Sequence, residues 1–241
     1  MSKSFFIDTT VCIACRACQV SCKQWHDLPA EKTTNRGSYQ NPPDLSFTTY
    51  KLVRFSEQVI DGKLKWLFFP EQCRHCIDPP CLATADDPTA IYKDPATGAV
   101  IYTKNTKNLD AKEIIESCPY NIPRQAADGT LAKCDMCIDR VQNGEEPACV
   151  KTCPSGAMHF GESKEMMALA KKRLAEVKVK FPQAQLLDPE DVQTIYLTAY
   201  DPALYYENAV ASVSRPKGMT RQAALSKMFK PFTAAAKELA G

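Results

Sequence analysis

A chain of 241 residues with 44% hydrophobic and 24% charged residues has globular proportions, which excludes wholesale disorder. Lys and Arg number 30 against 28 Asp and Glu, so the net charge of +2 argues against a nucleic-acid-coating protein or a polybasic membrane binder. No run approaches the ~20 apolar residues of a spanning helix, and residues 1–7 hold no apolar stretch of signal-peptide length, so neither a membrane span nor an export address of its own is expected.

In chain order, residues 31–44 hold Asn35, Gly37, Asn41, Pro42 and Pro43 and read as loop. Tyr50 to Phe55 and Leu64 to Phe69 flank Asp61-Gly62, a hairpin signal whose turn residues suit positive φ. A second short hairpin is predicted at 90–92 and 100–102, with Pro95 and Gly98 in its turn. Residues 111–116 predict a short helix that Pro119 ends. Met166, Met167, Ala170, Leu174 and Val177 recur at helical spacing, predicting an amphipathic helix over 163–180 with Ser163 as N-cap. Residues 192–198 predict a strand. From Arg215 to Gly241 six basic residues meet one acid, so this tail is +5 and residues 1–214 sum to −3; a solvated terminus or a short docking helix is expected there. The expected fold class is α+β.

The twelve cysteines are the informative feature, and none follows residue 153. Cys12-x2-Cys15-x2-Cys18-x3-Cys22 is the bacterial ferredoxin run, with Lys23 where proline is usual. Three thiolates at three-residue intervals on a wrapping loop each reach a different iron of a cubane, and the fourth, one turn into the next helix, points to a second cluster. Zinc prefers cysteine pairs from separated knuckles, and disulfides between such close steps hardly constrain an unfolded chain. Cys134-x2-Cys137-x11-Cys149-x3-Cys153 read alone also suits a zinc ribbon, but its Cys153-Pro154 ending and the partner that the first run requires favour iron–sulfur chemistry.

Crossed ligation then assigns Cys12, Cys15, Cys18 and Cys153 to a first cluster and Cys22, Cys134, Cys137 and Cys149 to a second. The middle of the chain is incomplete. Cys73, Cys76 and Cys81 lack a fourth cysteine at Ala85, and Cys118-Pro119 ends a run whose earlier positions are Asn108, Ala111 and Ile114. All four missing ligands belong to one cluster, and Cys73, Cys76, Cys81 and Cys118 make one complete set for a third. Three [4Fe-4S] clusters and one vacated site are expected, on two ferredoxin-like modules with inserted hairpins. One comprises residues 1–30 plus 124–162, and the other 31–123 with the vacated site; residues 163–241 add a helix, a strand and the basic tail. His75 is redundant as a ligand, His26 and His159 are expected at the surface or in packing, and Trp25 and Tyr120 suit core packing. Arg16, Lys23 and Lys133 are candidate tuners of cluster potential. No Ser–His–Asp pattern, phosphate-binding loop or dinucleotide fingerprint is present, so no substrate chemistry is expected on this chain.

The nested motifs resemble the iron–sulfur subunits of molybdenum- and tungsten-dependent bis-pyranopterin oxidoreductases, and most of all the β subunit of soluble formate dehydrogenase. The segments that carry the resemblance are Cys12 to Pro29, Cys73 to Cys81, Cys118 to Pro123, Lys133 to Arg140 and Cys153 to Ala157. It covers residues 4 to about 206. Relatives with all four motifs hold four clusters, and membrane-bound relatives append an anchor helix; the vacated site and the polar tail here both depart from that pattern. The resemblance implies an electron-transfer subunit in a heterodimer, with the molybdenum or tungsten pterin on a large catalytic partner and a soluble acceptor such as a c-type cytochrome. It also implies a periplasmic location by co-export with a twin-arginine partner, with the cytoplasm as the alternative. Two rivals remain. One is a zinc-stabilised interaction module; the other is the same role in a polysulfide, dimethyl-sulfoxide or nitrate reductase or a hydrogenase.

Overall fold

The computed structural model describes residues 2–211. The basic tail from Arg215 onwards lies outside the described residues.

The chain opens with β1 (Lys3–Asp8), a 3-10 turn over Thr9–Val11 and α1 (Ala17–Trp25). A loop leads to β2 (Leu52–Ile60) and β3 (Lys63–Glu71), then α2 (Pro80–Ala85), β4 (Ile91–Lys93) and β5 (Val100–Tyr102). After α3 (Ala111–Ser117) come β6 (Arg124–Gln125), β7 (Leu131–Ala132), α4 (Ile138–Gln142) and α5 (Ala148–Lys151). The last elements are β8 (Met158–Glu162), α6 (Ser163–Lys178), β9 (Gln185–Leu187) and β10 (Thr194–Thr198).

Local chemistry accounts for most of these. β2 and β3 pair antiparallel from Leu52↔Glu71 to Ile60↔Lys63, and the turn has Asp61 at φ 51° and Gly62 at φ 71°. Positive φ at both central residues matches the twist of the two strands, so the ladder runs longer at both strands than the apolar pattern alone indicates. β4 and β5 form the second hairpin, whose turn presses Gly98 so close to Gln193 that a Cβ there would meet that side chain at 2.2 Å. Asp110 caps α3 by accepting from the amides of Lys112 and Glu113 at 2.9 and 3.2 Å.

The first and last parts of the described chain build one sheet in the order β8-β1-β10-β9, with β1 parallel to β10 and antiparallel to β8. Phe6, Ile195 and Leu197 face α6, where Ala170 and Val177 complete a core. Phe5, Ile7 and Tyr196 alternate to the opposite face and pack with Met136, Cys18 and Cys149. Residues 185–198 are therefore integral to the sheet on which the cysteine loops rest, and not an appendage after the helix. β1 was not anticipated from the sequence, because three apolar residues buried on both faces show no alternation to read.

One expectation needs correction. Ser163 is the first residue of α6, and Glu162 occupies the N-cap position without a side-chain cap. The Ser163 hydroxyl instead donates to the Ser2 carbonyl at 2.7 Å and accepts from Ser4 at 2.8 Å, because β1 lies alongside. Of the four positions where the sequence lacks an expected cysteine, Ala85, Ala111 and Ile114 share one apolar cluster with Val100 and Leu131, while Asn108 is exposed.

Candidate metal centres

Each cysteine loop bends through a left-handed residue. Ala14, His75 and Met136, each the residue just before the second cysteine of its pair, have φ of 52°, 46° and 68°. None is glycine, so each conformation is strained and held by its surroundings. The curl turns backbone amides towards sulfur, and the His75 amide donates to Cys73 Sγ at 3.4 Å.

The tertiary structure then gathers cysteines from distant segments. Cys12, Cys15 and Cys18 line one cavity with Cys153, among Val53, Pro70, Ala157 and Met158. Cys73, Cys76 and Cys81 line another with Cys118, among Val100, Tyr120 and Ile122. The remaining four sit together where α1 packs on α5: burial raises the pKa of Cys22, with the charges of Cys149 and Cys137 adding to it, and Cys134 is raised by burial and by Cys22. The charge of Cys18 also acts on Cys149, and that of Cys73 on Cys134. No disulfide links any of the twelve.

Burial pushes the Cys12 and Cys149 thiols up to about 11 and the Cys118 and Cys137 thiols to about 12. Ligation by these thiols releases their protons, so any metal group they bind must repay that cost through its own positive charge.

The spacing of the sulfurs discriminates between metals. Around one zinc at a Zn–S distance of ≈ 2.3 Å, tetrahedral thiolates lie about 3.8 Å apart. Among the described residues, the only group of three or more ligand atoms within 4.8 Å of one another is His26, Asp135 and Cys137. None of the expected cysteine sets is among such close groups, and their all-sulfur donors and apolar walls suit a polynuclear iron–sulfur group.

Neighbouring polar residues divide into those that touch these centres and those that do not. His26, expected at the surface or in packing, is partly buried against the second group, with its Nδ1 2.9 Å from the Cys22 carbonyl and its Nε2 2.9 Å from Asp135. Asp135 in turn accepts from the Cys137 amide at 2.8 Å, so the pair braces that loop. His159 stacks on Phe6 and is a packing residue. His75 accepts from the Val100 amide through Nδ1 at 3.0 Å and is not among the residues that line the cavity with Cys73, Cys76, Cys81 and Cys118. Tyr120 is buried at the third group, with its hydroxyl on Asp188 at 2.8 Å, and Trp25 is half exposed beneath the Arg140 guanidinium. Of the three candidate tuners, Arg16 and Lys23 are only partly buried, and Lys133 is buried. Lys51, which sequence reasoning passed over, is buried too; a lone lysine before a strand carries no local signal.

Residues 64–163 match the model of the 4Fe-4S dicluster domain family. Over 215 residues the chain is 60% identical to the formate dehydrogenase subunit beta of Megalodesulfovibrio gigas, covering 88% of this chain and all of that one. It is 55% identical over 216 residues to the formate dehydrogenase 2 subunit beta (cytochrome c-553) of Nitratidesulfovibrio vulgaris, covering 87% and 99%. It is 44% identical over 188 residues to the nitrate-inducible formate dehydrogenase iron–sulfur subunit of Escherichia coli, covering 77% of this chain and 63% of that one. An α+β chain that gathers sulfurs and offers no substrate chemistry thus finds its place: it belongs to the formate dehydrogenase iron–sulfur (β) subunit family, and is the electron-transfer subunit of that oxidoreductase complex rather than its catalytic one.

Proposed function

We propose that this chain holds three [4Fe-4S] clusters and relays electrons between a molybdenum or tungsten pterin on a large catalytic partner, with which it forms a heterodimer, and a soluble acceptor such as a c-type cytochrome. Cys12, Cys15, Cys18 and Cys153 hold the first cluster, Cys22, Cys134, Cys137 and Cys149 the second, and Cys73, Cys76, Cys81 and Cys118 the third. The observation that carries this reading is the lining of two separate cavities by four cysteines each, one set closed by Cys153 and the other by Cys118. When bound, the clusters supply one-electron steps between two-electron formate chemistry and a one-electron acceptor.

The chain's own part is to bind, to insulate and to set potentials. Two ferredoxin-like modules, residues 1–30 with 124–162 and residues 31–123, divide the three sets between them, with Ala85, Ala111 and Ile114 closing the fourth position in apolar side chains. Val53, Met158, Val100 and Ile122 keep water from the sulfurs, and backbone amides such as that of His75 donate to them. The β-subunit name that includes cytochrome c-553 supports a cytochrome as the acceptor. The proposed location is the periplasm, entered together with the folded large partner. Its expected sign is recovery in the periplasmic fraction only while the partner's export signal is intact.

Purification with the large partner tests the central reading. The expected result is about four irons and four labile sulfides per cysteine set contributed by this chain, with formate-dependent reduction of an added c-type cytochrome. Zinc without sulfide, or an associated large subunit inert towards formate, would overturn it.

A further inference from the structure

Two lysines are buried where the proposed relay does not need a ligand. Lys51 is 2% exposed and Lys133 is 6% exposed. A buried ammonium is costly unless something nearby repays it. Lys51 Nζ donates to the Pro70 carbonyl at 3.2 Å and to Gln72 Oε1 at 2.6 Å. Lys133 Nζ donates to the carbonyls of Val100 at 2.5 Å and Cys134 at 3.1 Å, and lies 4.7 Å from the centre of the Tyr102 ring. These acceptors are neutral and do not balance a full charge.

Sulfurs lead the charges that act on the two lysines, joined by Tyr196 at Lys51 and by the Asp135 carboxylate at Lys133, and each lysine meets two sets. Lys51 senses Cys18 of the first set with Cys149 and Cys134 of the second. Pro70, its carbonyl acceptor, itself lines the first cavity. Lys133 lines the third cavity, adjoins Cys134 in the chain, and senses Cys73 and Cys81 of the third set with Cys134 of the second.

We propose that Lys51 and Lys133 are potential-setting residues, each placing one positive charge at the junction of two iron–sulfur centres. Lys51 serves the first and second, and Lys133 serves the second and third. This deepens the three-cluster reading and rests on it. A fixed charge between two centres stabilises an added electron on either side, and burial spares that attraction the screening it would suffer at the surface. The second centre lies under both lysines. Each is a positioning residue for electrons: it ligates nothing and touches no substrate.

The test uses the complex with the catalytic partner, carrying Lys51→Met or Lys133→Met, in redox titrations followed by electron paramagnetic resonance. Iron and labile sulfide are counted on the same samples. With metal content unchanged, Lys51→Met is expected to lower the midpoints of the first and second centres and to leave the third in place. Lys133→Met should lower the second and third and leave the first. The expected size is a tenfold or larger fall in the equilibrium constant for reduction, 59 mV for a one-electron couple. Lys51→Arg and Lys133→Arg, which keep the charge, should restore most of the shift. Unmoved potentials in cluster-replete variants would overturn the proposal, as would a uniform shift of all three. Should the methionine variants lose iron, Lys51→Gln and Lys133→Gln keep a donor for the carbonyls without the charge. Iron loss in these as well would mark the lysines as struts and overturn it. Fewer than three cluster signals in the unsubstituted complex would instead defeat the three-cluster reading.

Discussion

At the scale of single residues, the chain separates ligands from the groups that surround them. Every proposed ligand is a cysteine, and each set draws its members from segments far apart in sequence. Cys81→Ala should therefore remove about four of the irons this chain holds and spare the other two sets. Metal and sulfide analysis of the folded variant checks this; loss of every cluster signal from a protein with native circular dichroism would contradict the grouping. Ile114 behaves differently. It stands where a fourth ferredoxin site would need a thiolate, yet it is 1% exposed inside an apolar cluster. Ile114→Ala should cost about 2–5 kcal/mol of stability through a cavity, read from denaturant melts, without changing iron content.

At the scale of elements, the long hairpin of β2 and β3 is anchored through charge. Arg54 on β2 donates to Glu71 on β3 at 2.6 Å and bonds Asp44 of the preceding loop. Asp44 also accepts from Arg124 at 2.8 Å, and the Arg54 guanidinium lies 4.0 Å from the centre of the Tyr206 ring. Glu71 is fully buried, so Arg54→Ala removes its hydrogen-bonded cation, leaving only the charge of Arg74 nearby, and should destabilise the protein by about 3 kcal/mol in thermal or chemical melts. Burial alone would raise the Asp44 carboxyl, but its hydrogen bond to Arg54 and the charges of Arg124 and Arg54 hold it below the ordinary carboxylate range. A depressed folded pKa contributes stability that is complete above the unfolded value of about 3.9 and is lost as pH falls through the lower folded value. Stability measured from pH 6 down to 2 should therefore fall less steeply in Asp44→Asn than in the unsubstituted chain.

At the scale of the whole molecule, the four-stranded sheet ties the ends of the described chain to the cysteine loops. β1 sits between β8 and β10, and Tyr196 on β10 donates to the Pro70 carbonyl at 2.7 Å, the same oxygen that Lys51 reaches. Truncation after Glu190 should therefore do more than shorten the chain. It removes β10, bares Phe5, Phe6 and Ile7, and withdraws Tyr196 from the wall behind the first and second sets. The expected result is an aggregating product with less iron, judged by solubility and metal content. A soluble truncated chain with a full iron complement would show the sheet to be dispensable.

Two kinds of information meet in this protein. Ligand spacing is local: Cys-x2-Cys steps, a Cys-Pro ending and an Asp-Gly turn act within a few residues, so both hairpins and all but the last turn of the helix predicted over 163–180 were legible in the sequence alone. Other features depend on what comes from elsewhere in the chain. β1 becomes a strand because β8 and β10 flank it, and Ser163 gives up capping because β1 offers it partners. His26 becomes a brace because Asp135 folds against it. Lys51 has no motif at all, and only burial between two groups of sulfurs gives its charge a consequence. The order of residues is enough to mark the cysteines as candidate metal ligands, because their spacing is local. The tertiary structure decided which charges stand beside them, because a Coulomb interaction depends on separation in space and on burial, and neither is written in the order of residues.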